Sequence, residues 1–131
     1  MQSSKLNNIT LENYKEELKG INVVEISGES CANCLTLLPV LYNIWEQRKD
    51  FTLRHIEADE STKDLINAWE IRTAPTIIIF KDGVEIQRCK GYQPEEILEL
   101  WLDAKINELK KWFFIKIKYF IRNQSKYIFL N

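Results

Sequence analysis

Two cysteines, Cys31 and Cys34, form a Cys-x-x-Cys motif in this 131-residue chain, and their spacing is the clearest indication of chemistry. They lie where an apolar run, Ile21 to Ile26, gives way to an apolar-periodic segment, Cys34 to Trp45, so we expect a strand followed by a helix. Thiols one helical turn apart can close a disulfide. The first thiol would lie at the positive end of the helix dipole, which favours the nucleophilic thiolate, and the second should be more buried. The pair therefore predicts thiol–disulfide exchange in which Cys31 attacks and Cys34 resolves.

A bare Cys-x-x-Cys motif also occurs in zinc sites and as two buried structural cysteines. The chain has a third cysteine, Cys89, and one histidine, His55, and these two would complete a set of four zinc ligands. Because they lack the close spacing of a zinc motif, we expect Cys89 to be a small buried residue and His55 to be a surface residue of a strand. We predict no metal and no cofactor.

Composition and charge limit the class of protein. Apolar residues make up 45% of the chain and charged residues 28%, which is typical of one soluble globular domain. The net charge of −1 gives no reason to expect a nucleic-acid partner. The polar stretch Met1 to Thr10 lacks the apolar region of a secretory signal, and no run of about 18 apolar residues could span a membrane. We therefore expect a reducing cytoplasm, where a cysteine pair is more often catalytic or metal-binding than structural.

Helices and strands are predicted to alternate around the motif in the order α-β-α-β-α-β-β-α. The predicted elements are a helix from Leu11 to Gly20 capped by Thr10, a strand from Ile21 to Ile26, the motif helix to Arg48, a strand from Phe51 to Ala58, a helix from Ser61 to Trp69, a hairpin of strands from Ile77 to Phe80 and Val84 to Lys90, and a helix from Pro94 to about Leu109. Residues Met1 to Asn8 are expected to be frayed. Strands joined by helices imply parallel crossovers, and the Asp82-Gly83 hairpin adds an antiparallel edge.

The stretch from about Leu11 to Leu109 resembles the thioredoxin family. Besides the cysteine pair, the resemblance rests on Pro39 inside the motif helix, the loop Thr73-Ala74-Pro75-Thr76, the hairpin Lys81-Asp82-Gly83, and Gly91 before the last helix. It implies a thioredoxin-like α/β fold for residues 1–109, with a central mixed sheet, an antiparallel edge hairpin, and helices on both faces. It also implies reduction or oxidation of protein disulfides, with a reductase or another thiol as electron donor.

The resemblance implies a role for Glu25, which aligns with a buried acid that takes the proton from the second cysteine of the family's motif. A buried carboxylate can act as a base near neutral pH, although a glutamate that reaches solvent is the alternative. His55 aligns near a lysine that tunes this acid in the family, and an imidazolium could do something similar.

The family's proline loop faces the cysteine pair, and this implies a substrate-binding role for Thr73, Ala74 and Pro75, with Pro75 in the cis form. A residue before proline is held in an extended conformation, so Ala74 can offer its backbone to a substrate strand. Gly91 and Tyr92 would complete the frame around the substrate.

The motif departs from the family pattern. Thioredoxins usually read Trp-Cys-Gly-Pro-Cys, whereas this chain has Ser30-Cys31-Ala32-Asn33-Cys34. In the family, the two residues between the cysteines tune the reduction potential and the acidity of the thiols. We therefore expect an atypical potential.

Residues 110–131 lie outside the resemblance and contain six basic residues, no acidic residue and seven aromatic residues. The apolar residues spread round a helical wheel, and Ile115 to Tyr119 alternates as a strand would. The extension could pack on the domain, bind a membrane surface or a partner, or mediate self-association. A non-catalytic thioredoxin-fold module that acts through this extension is the alternative function, and the retained Cys34 argues against it.

Overall fold

The computed structural model describes residues 9 to 129, with side chains described as far as residue 124, so the expectation for Met1 to Asn8 lies outside the described residues. The elements are α1 (Tyr14–Glu17), β1 (Ile21–Ser27), α2 (Ala32–Arg48), β2 (Thr52–Glu57), a short 3-10 helix (Glu60–Thr62), α3 (Lys63–Ala68), β3 (Thr76–Lys81), β4 (Val84–Lys90) and α4 (Glu95–Phe129). The predicted order of helices and strands is confirmed.

The four strands form one mixed sheet in the order β2-β1-β3-β4. Strands β1 and β2 are parallel, whereas β3 is antiparallel to both β1 and β4. The parallel pair is joined through α2, and the antiparallel pair β3–β4 is the predicted edge hairpin. The expected α/β fold class is therefore confirmed.

Strand β1 carries different side chains to the two faces of the sheet. Val24 and Ile26 belong to a buried cluster that also contains Leu65 and Trp69 from the α3 region. Side chains alternate along a strand, so Glu25 points to the opposite face. The buried residues of α2, Cys34, Leu37, Leu41 and Ile44, do not belong to that cluster.

Two helix starts differ from their predicted positions. Thr10 Oγ1 accepts the Asn13 N–H at 3.2 Å and Asn13 Oδ1 accepts the Thr10 N–H at 2.7 Å, so Thr10 caps a turn and the helix proper begins only at Tyr14. The predicted cap Ser61 is wrong. Asp59 Oδ1 accepts the Ser61 N–H at 2.8 Å and Thr62 completes a reciprocal capping box, so the turn begins before Ser61.

The hairpin turn is formed by Asp82 and Gly83, with φ of 50° and 78° respectively. Both angles are positive, as a two-residue hairpin of this type requires. The Gly83 N–H donates to the Leu18 carbonyl at 2.9 Å, and a Cβ on Gly83 would lie 2.7 Å from Lys15 Cα. Only glycine therefore fits at position 83, where the hairpin turn packs against α1.

Helix α4 does not end near Leu109 but continues to Phe129. The strand interpretation of Ile115 to Tyr119 is wrong, because these residues are helical. No glycine or proline follows Pro94 in the sequence, so nothing interrupts the helix once it has begun. Leu98, Leu102 and Ile106 form its buried stripe.

Candidate active site

The two cysteines of the motif form a disulfide, with 5.3 Å between their Cα atoms. Cys31 is the N-cap of α2, and its Sγ accepts the Cys34 N–H at 3.2 Å. Cys34 is buried, with 2% of its surface exposed, whereas Cys31 is half-buried. When the pair is reduced, the same N–H and the helix N-terminus favour the thiolate form of Cys31.

The strand register brings the proline loop to the motif. Ile26 of β1 pairs with Thr76 of β3, so the residues after β1 and those before β3 lie at the same edge of the sheet. A Cβ added to Gly28 would lie 3.1 Å from the Ala74 Cβ. The loop that leads to Cys31 therefore lies directly against the loop that contains Ala74.

The proline loop contains the cis peptide bond that the resemblance implies. The Ala74–Pro75 peptide bond is cis, and the Pro75 carbonyl accepts the Gly91 N–H at 2.7 Å. Thr73 and Ala74 are exposed, and Tyr92, which follows Gly91, is 41% exposed. The five residues proposed to frame the substrate are thus brought to the edge of the sheet that carries the cysteine pair.

Glu25 is fully buried and is held by two hydrogen-bonding partners. The Ser27 hydroxyl donates to Glu25 Oε1 at 2.6 Å, and Glu25 Oε2 lies 2.5 Å from His55 Nδ1. The parallel register between β1 and β2 places Glu25 directly beside His55. A glutamate that reaches solvent, the alternative considered for Glu25, is therefore contradicted.

His55 is not a surface histidine. Only 14% of its side chain is exposed, and its Nε2 lies 2.8 Å from Glu57 Oε1, so the imidazole bridges two carboxylates. The hydrogen bond with Glu25 raises the pKa of His55 above its ordinary value of 6.5, against the effect of burial, and Glu57 acts in the same direction. The charged imidazolium offsets part of the cost of burying the Glu25 carboxylate.

Sequence reasoning missed three residues at this site: Ser27, Gly28 and Glu57. Ser27 is two residues after Glu25, and Glu57 is two residues after His55, so the alternation of a strand could have placed each on the face of its partner. Gly28 had a weaker signal, because a glycine after a buried strand often marks a close approach of two backbones.

Cys89 lies on β4 opposite Ile77, outside the disulfide, and is half-buried rather than buried as expected. Burial raises the pKa of its thiol, which makes it a poor nucleophile near neutral pH. Among residues 9 to 129, no group of three or more histidine, cysteine, aspartate or glutamate side chains could hold a metal ion. The zinc alternative therefore lacks a ligand group in this part of the chain.

The buried carboxylate lies on β1, the disulfide follows β1, and the proline loop lies against the loop between them. Together with the mixed sheet, these features define a dithiol–disulfide redox protein. The thioredoxin family model matches residues 5–104. The chain therefore belongs to the thioredoxin family and is a thiol–disulfide oxidoreductase.

Individual relatives agree with this assignment. Thioredoxin of Chlamydia pneumoniae is 33% identical over 91 residues, which cover 69% of this chain and 88% of the relative. Thioredoxin of Staphylococcus haemolyticus is 28% identical over 102 residues, which cover 75% of this chain and 95% of the relative. The crystal structure of thioredoxin f2 from Chlamydomonas reinhardtii matches with a TM-score of 0.66 at 18% identity, covering 77% of this chain and 97% of that one, and shows the shared fold.

The family match ends before the last part of α4, so the basic C-terminal residues have no counterpart in it. No helix within residues 9 to 129 is both long enough and apolar enough to cross a membrane.

Proposed function

We propose that this protein exchanges its Cys31–Cys34 disulfide and dithiol with disulfides of other proteins. The Cys31 thiolate attacks one sulfur of the substrate disulfide, forms a mixed disulfide and releases a substrate thiolate. Cys34, as thiolate, then attacks Cys31 Sγ, which releases the second substrate thiolate and leaves the Cys31–Cys34 disulfide. Two electrons have passed to the substrate, and a reductase or another thiol donor returns them. The observation that carries this proposal is the disulfide at the helix N-terminus, with the Cys34 N–H on Cys31 Sγ.

Glu25 is the proton acceptor in this proposal. Cys34 must lose its proton before it can attack, and it is buried, so the acceptor has to be an internal group. Glu25 is a fully buried carboxylate on β1, the strand that leads into the motif, and its side chain points away from the cluster of Val24 and Ile26. Ser27 and His55 fix the two carboxylate oxygens, so they act as positioning residues.

The substrate is proposed to lie along the proline loop. Thr73 and Ala74 are exposed, whereas Pro75 is buried and tied to Gly91 through its carbonyl. An extended substrate segment could form backbone hydrogen bonds with the exposed residues Thr73 and Ala74, as in strand addition. Tyr92 would supply an apolar contact beside it.

An insulin-reduction assay with dithiothreitol as donor tests the proposal. Wild type should accelerate precipitation of the insulin B chain, Cys31→Ser should abolish the acceleration, and Cys34→Ser should accumulate mixed disulfides. Cys89→Ser is the matched control and should behave as wild type. Undiminished activity of Cys31→Ser would contradict the proposed role of the pair.

The finer aspects of the function are also proposals. The replacement of the family's Gly-Pro by Ala32-Asn33 supports an atypical reduction potential, and a chain with three cysteines fits a reducing cytoplasm. The alternative, a non-catalytic binding module, would not require Cys34, which is retained. Insulin reduction that depends on both cysteines would exclude it.

We further propose that residues 1–109 form the redox domain and that 110–131 form a separate contact segment, for a membrane surface or for a second copy of the chain. This segment contains six basic residues and no acidic one, so it is positively charged. The rest of the chain has 12 basic and 19 acidic residues and is negatively charged. Ending the chain after Leu109 should preserve insulin reduction.

A further inference from the structure

The basic segment, here residues 110–124 of α4, reverses the charge of the helix. Residues 95–109 contain five acidic residues and one basic residue, whereas residues 110–124 contain five basic residues and no acidic one. A continuous helix thus passes from an acidic to a basic surface at Leu109.

Large apolar side chains are exposed throughout the basic segment, whereas Leu98, Leu102 and Ile106 upstream are buried. The exposed residues are Trp112 at 56%, Phe113 at 51%, Phe114 at 64%, Ile115 at 64%, Ile117 at 38%, Tyr119 at 67%, Phe120 at 63% and Ile121 at 59%. A protein in water rarely exposes so continuous an apolar surface unless that surface binds something.

Helical geometry divides these side chains between two opposite sides of the helix, as their spread round the helical wheel predicts. Five of them fall within an arc of about 120° and are called the aromatic face: Phe113, Phe114, Ile117, Phe120 and Ile121. Lys110, in the turn before, is the one cation in that arc. Lys118, Lys111 and Arg122 follow beyond one border of the arc, and Lys116 lies beyond the other.

A second set of exposed apolar residues, Trp112, Ile115 and Tyr119, lies on the side of the helix opposite the aromatic face. Cations border this side, and Lys116 Nζ lies 4.3 Å from the centre of the Trp112 ring. Tryptophan, tyrosine and lysine are the side chains whose apolar bodies and polar ends suit the boundary between lipid and water. The segment therefore has an apolar side that could enter lipid and cations that could reach headgroups.

We propose that the basic segment lies on an anionic lipid surface, with the aromatic face inserted between the acyl chains. Pairing with the same segment of a second copy is less favourable, because it would place five cations against five. An anionic bilayer supplies both an apolar phase and negative charge. The helix would lie in the plane of the surface, since no described helix can span a membrane. This proposal does not depend on the proposed redox role.

Vesicle flotation of the full-length protein tests the proposal. Vesicles of phosphatidylcholine with 30% phosphatidylglycerol should bind the protein about tenfold or more tightly than pure phosphatidylcholine. The double variant Phe114→Ser/Phe120→Ser should bind anionic vesicles about tenfold or more weakly. Its matched control is Ile97→Ser/Leu100→Ser, which alters two apolar residues of the same helix that are 52% and 66% exposed, and it should bind normally.

A second pair of variants separates charge from apolar contact. Lys111→Gln/Lys118→Gln should weaken anionic binding about tenfold or more, whereas Lys111→Arg/Lys118→Arg should retain it. Equal binding to both vesicle types would overturn the anionic preference, and absence of binding would overturn the proposal. A dimer in light scattering that Phe114→Ser/Phe120→Ser dissociates, without vesicle binding, would instead assign the aromatic face to a second copy.

Discussion

Glu25 and His55 lie 30 positions apart in the sequence, yet Oε2 of one is 2.5 Å from Nδ1 of the other. This contact raises the pKa of His55, so folding favours its protonated form. The resulting stability is fully present below the unfolded pKa of about 6.5 and is lost as the pH rises through the higher folded pKa. The pair therefore links the stability of the fold to pH on the alkaline side of 6.5.

Replacing His55 by glutamine should expose this linkage. His55→Gln removes the titrating group, so its deficit in the free energy of unfolding relative to wild type should be largest near pH 6 and should shrink toward pH 9. Urea denaturation of the oxidised proteins at both values measures it. His55→Lys keeps a charge at both pH values, and its stability should change less with pH than that of wild type. A glutamine deficit of the same size at both pH values would disprove the linkage.

The order in which the thiols react is a second prediction. In the reduced protein, Cys31 should be alkylated well before Cys34 and Cys89 at neutral pH, because it lies at the start of α2, whereas Cys34 is buried and burial raises the pKa of the Cys89 thiol. Mass mapping after brief iodoacetamide treatment gives the order. Equal labelling of all three thiols would remove the assignment of Cys31 as the nucleophile.

Glu25 should matter more for the second step of exchange than for the first. Glu25→Gln preserves the volume of the side chain but cannot accept the Cys34 proton, so resolution of the mixed disulfide should slow by about 10²-fold. Attack by Cys31 should change much less. Stopped-flow reduction across pH separates the two steps, and Glu57→Gln, which keeps Glu25, is the control. Identical profiles for wild type and Glu25→Gln would reject the proposed base.

Two glycines with similar backbone angles should respond differently to alanine. Gly20 has φ of +75° and nothing within 4 Å of an added Cβ, whereas Gly83 has φ of +78° and the Lys15 backbone at 2.7 Å. Gly20→Ala should cost about 1–2 kcal/mol of unfolding free energy for the left-handed conformation. Gly83→Ala should cost clearly more, because backbone must move. Urea denaturation measures the unfolding free energy of both variants. Equal losses would contradict the close approach of Gly83 to the Lys15 backbone.

The dipeptide between the cysteines should set the reduction potential. We expect a potential less reducing than about −270 mV, the value typical of thioredoxin. Asn33→Pro should move it toward that value, and equilibration with glutathione measures both proteins. A wild-type potential at or below about −270 mV would contradict the argument from Ala32-Asn33.

The sequence was most informative where a few neighbouring residues determine the structure. The cysteine pair and the Asp82-Gly83 turn depend on local geometry, and both occur where they were predicted. His55 could not be assigned in the same way, because its contact with Glu25 depends on the register between β1 and β2. A two-residue alternation also suggested a strand at Ile115 to Tyr119. Helix propagation from Pro94 without a breaker outweighed it.

In Cys31, one sulfur atom is both the redox centre and the cap of α2. Serine is among the best N-cap residues, so Cys31→Ser replaces the sulfur by an oxygen that can still accept the Cys34 N–H. Alanine offers no acceptor and should cost the helix about 1 kcal/mol in addition to the lost chemistry. The serine variant is therefore the one that abolishes electron transfer while keeping the architecture, whereas trapping of mixed disulfides with substrates requires Cys34→Ser, which keeps the nucleophile.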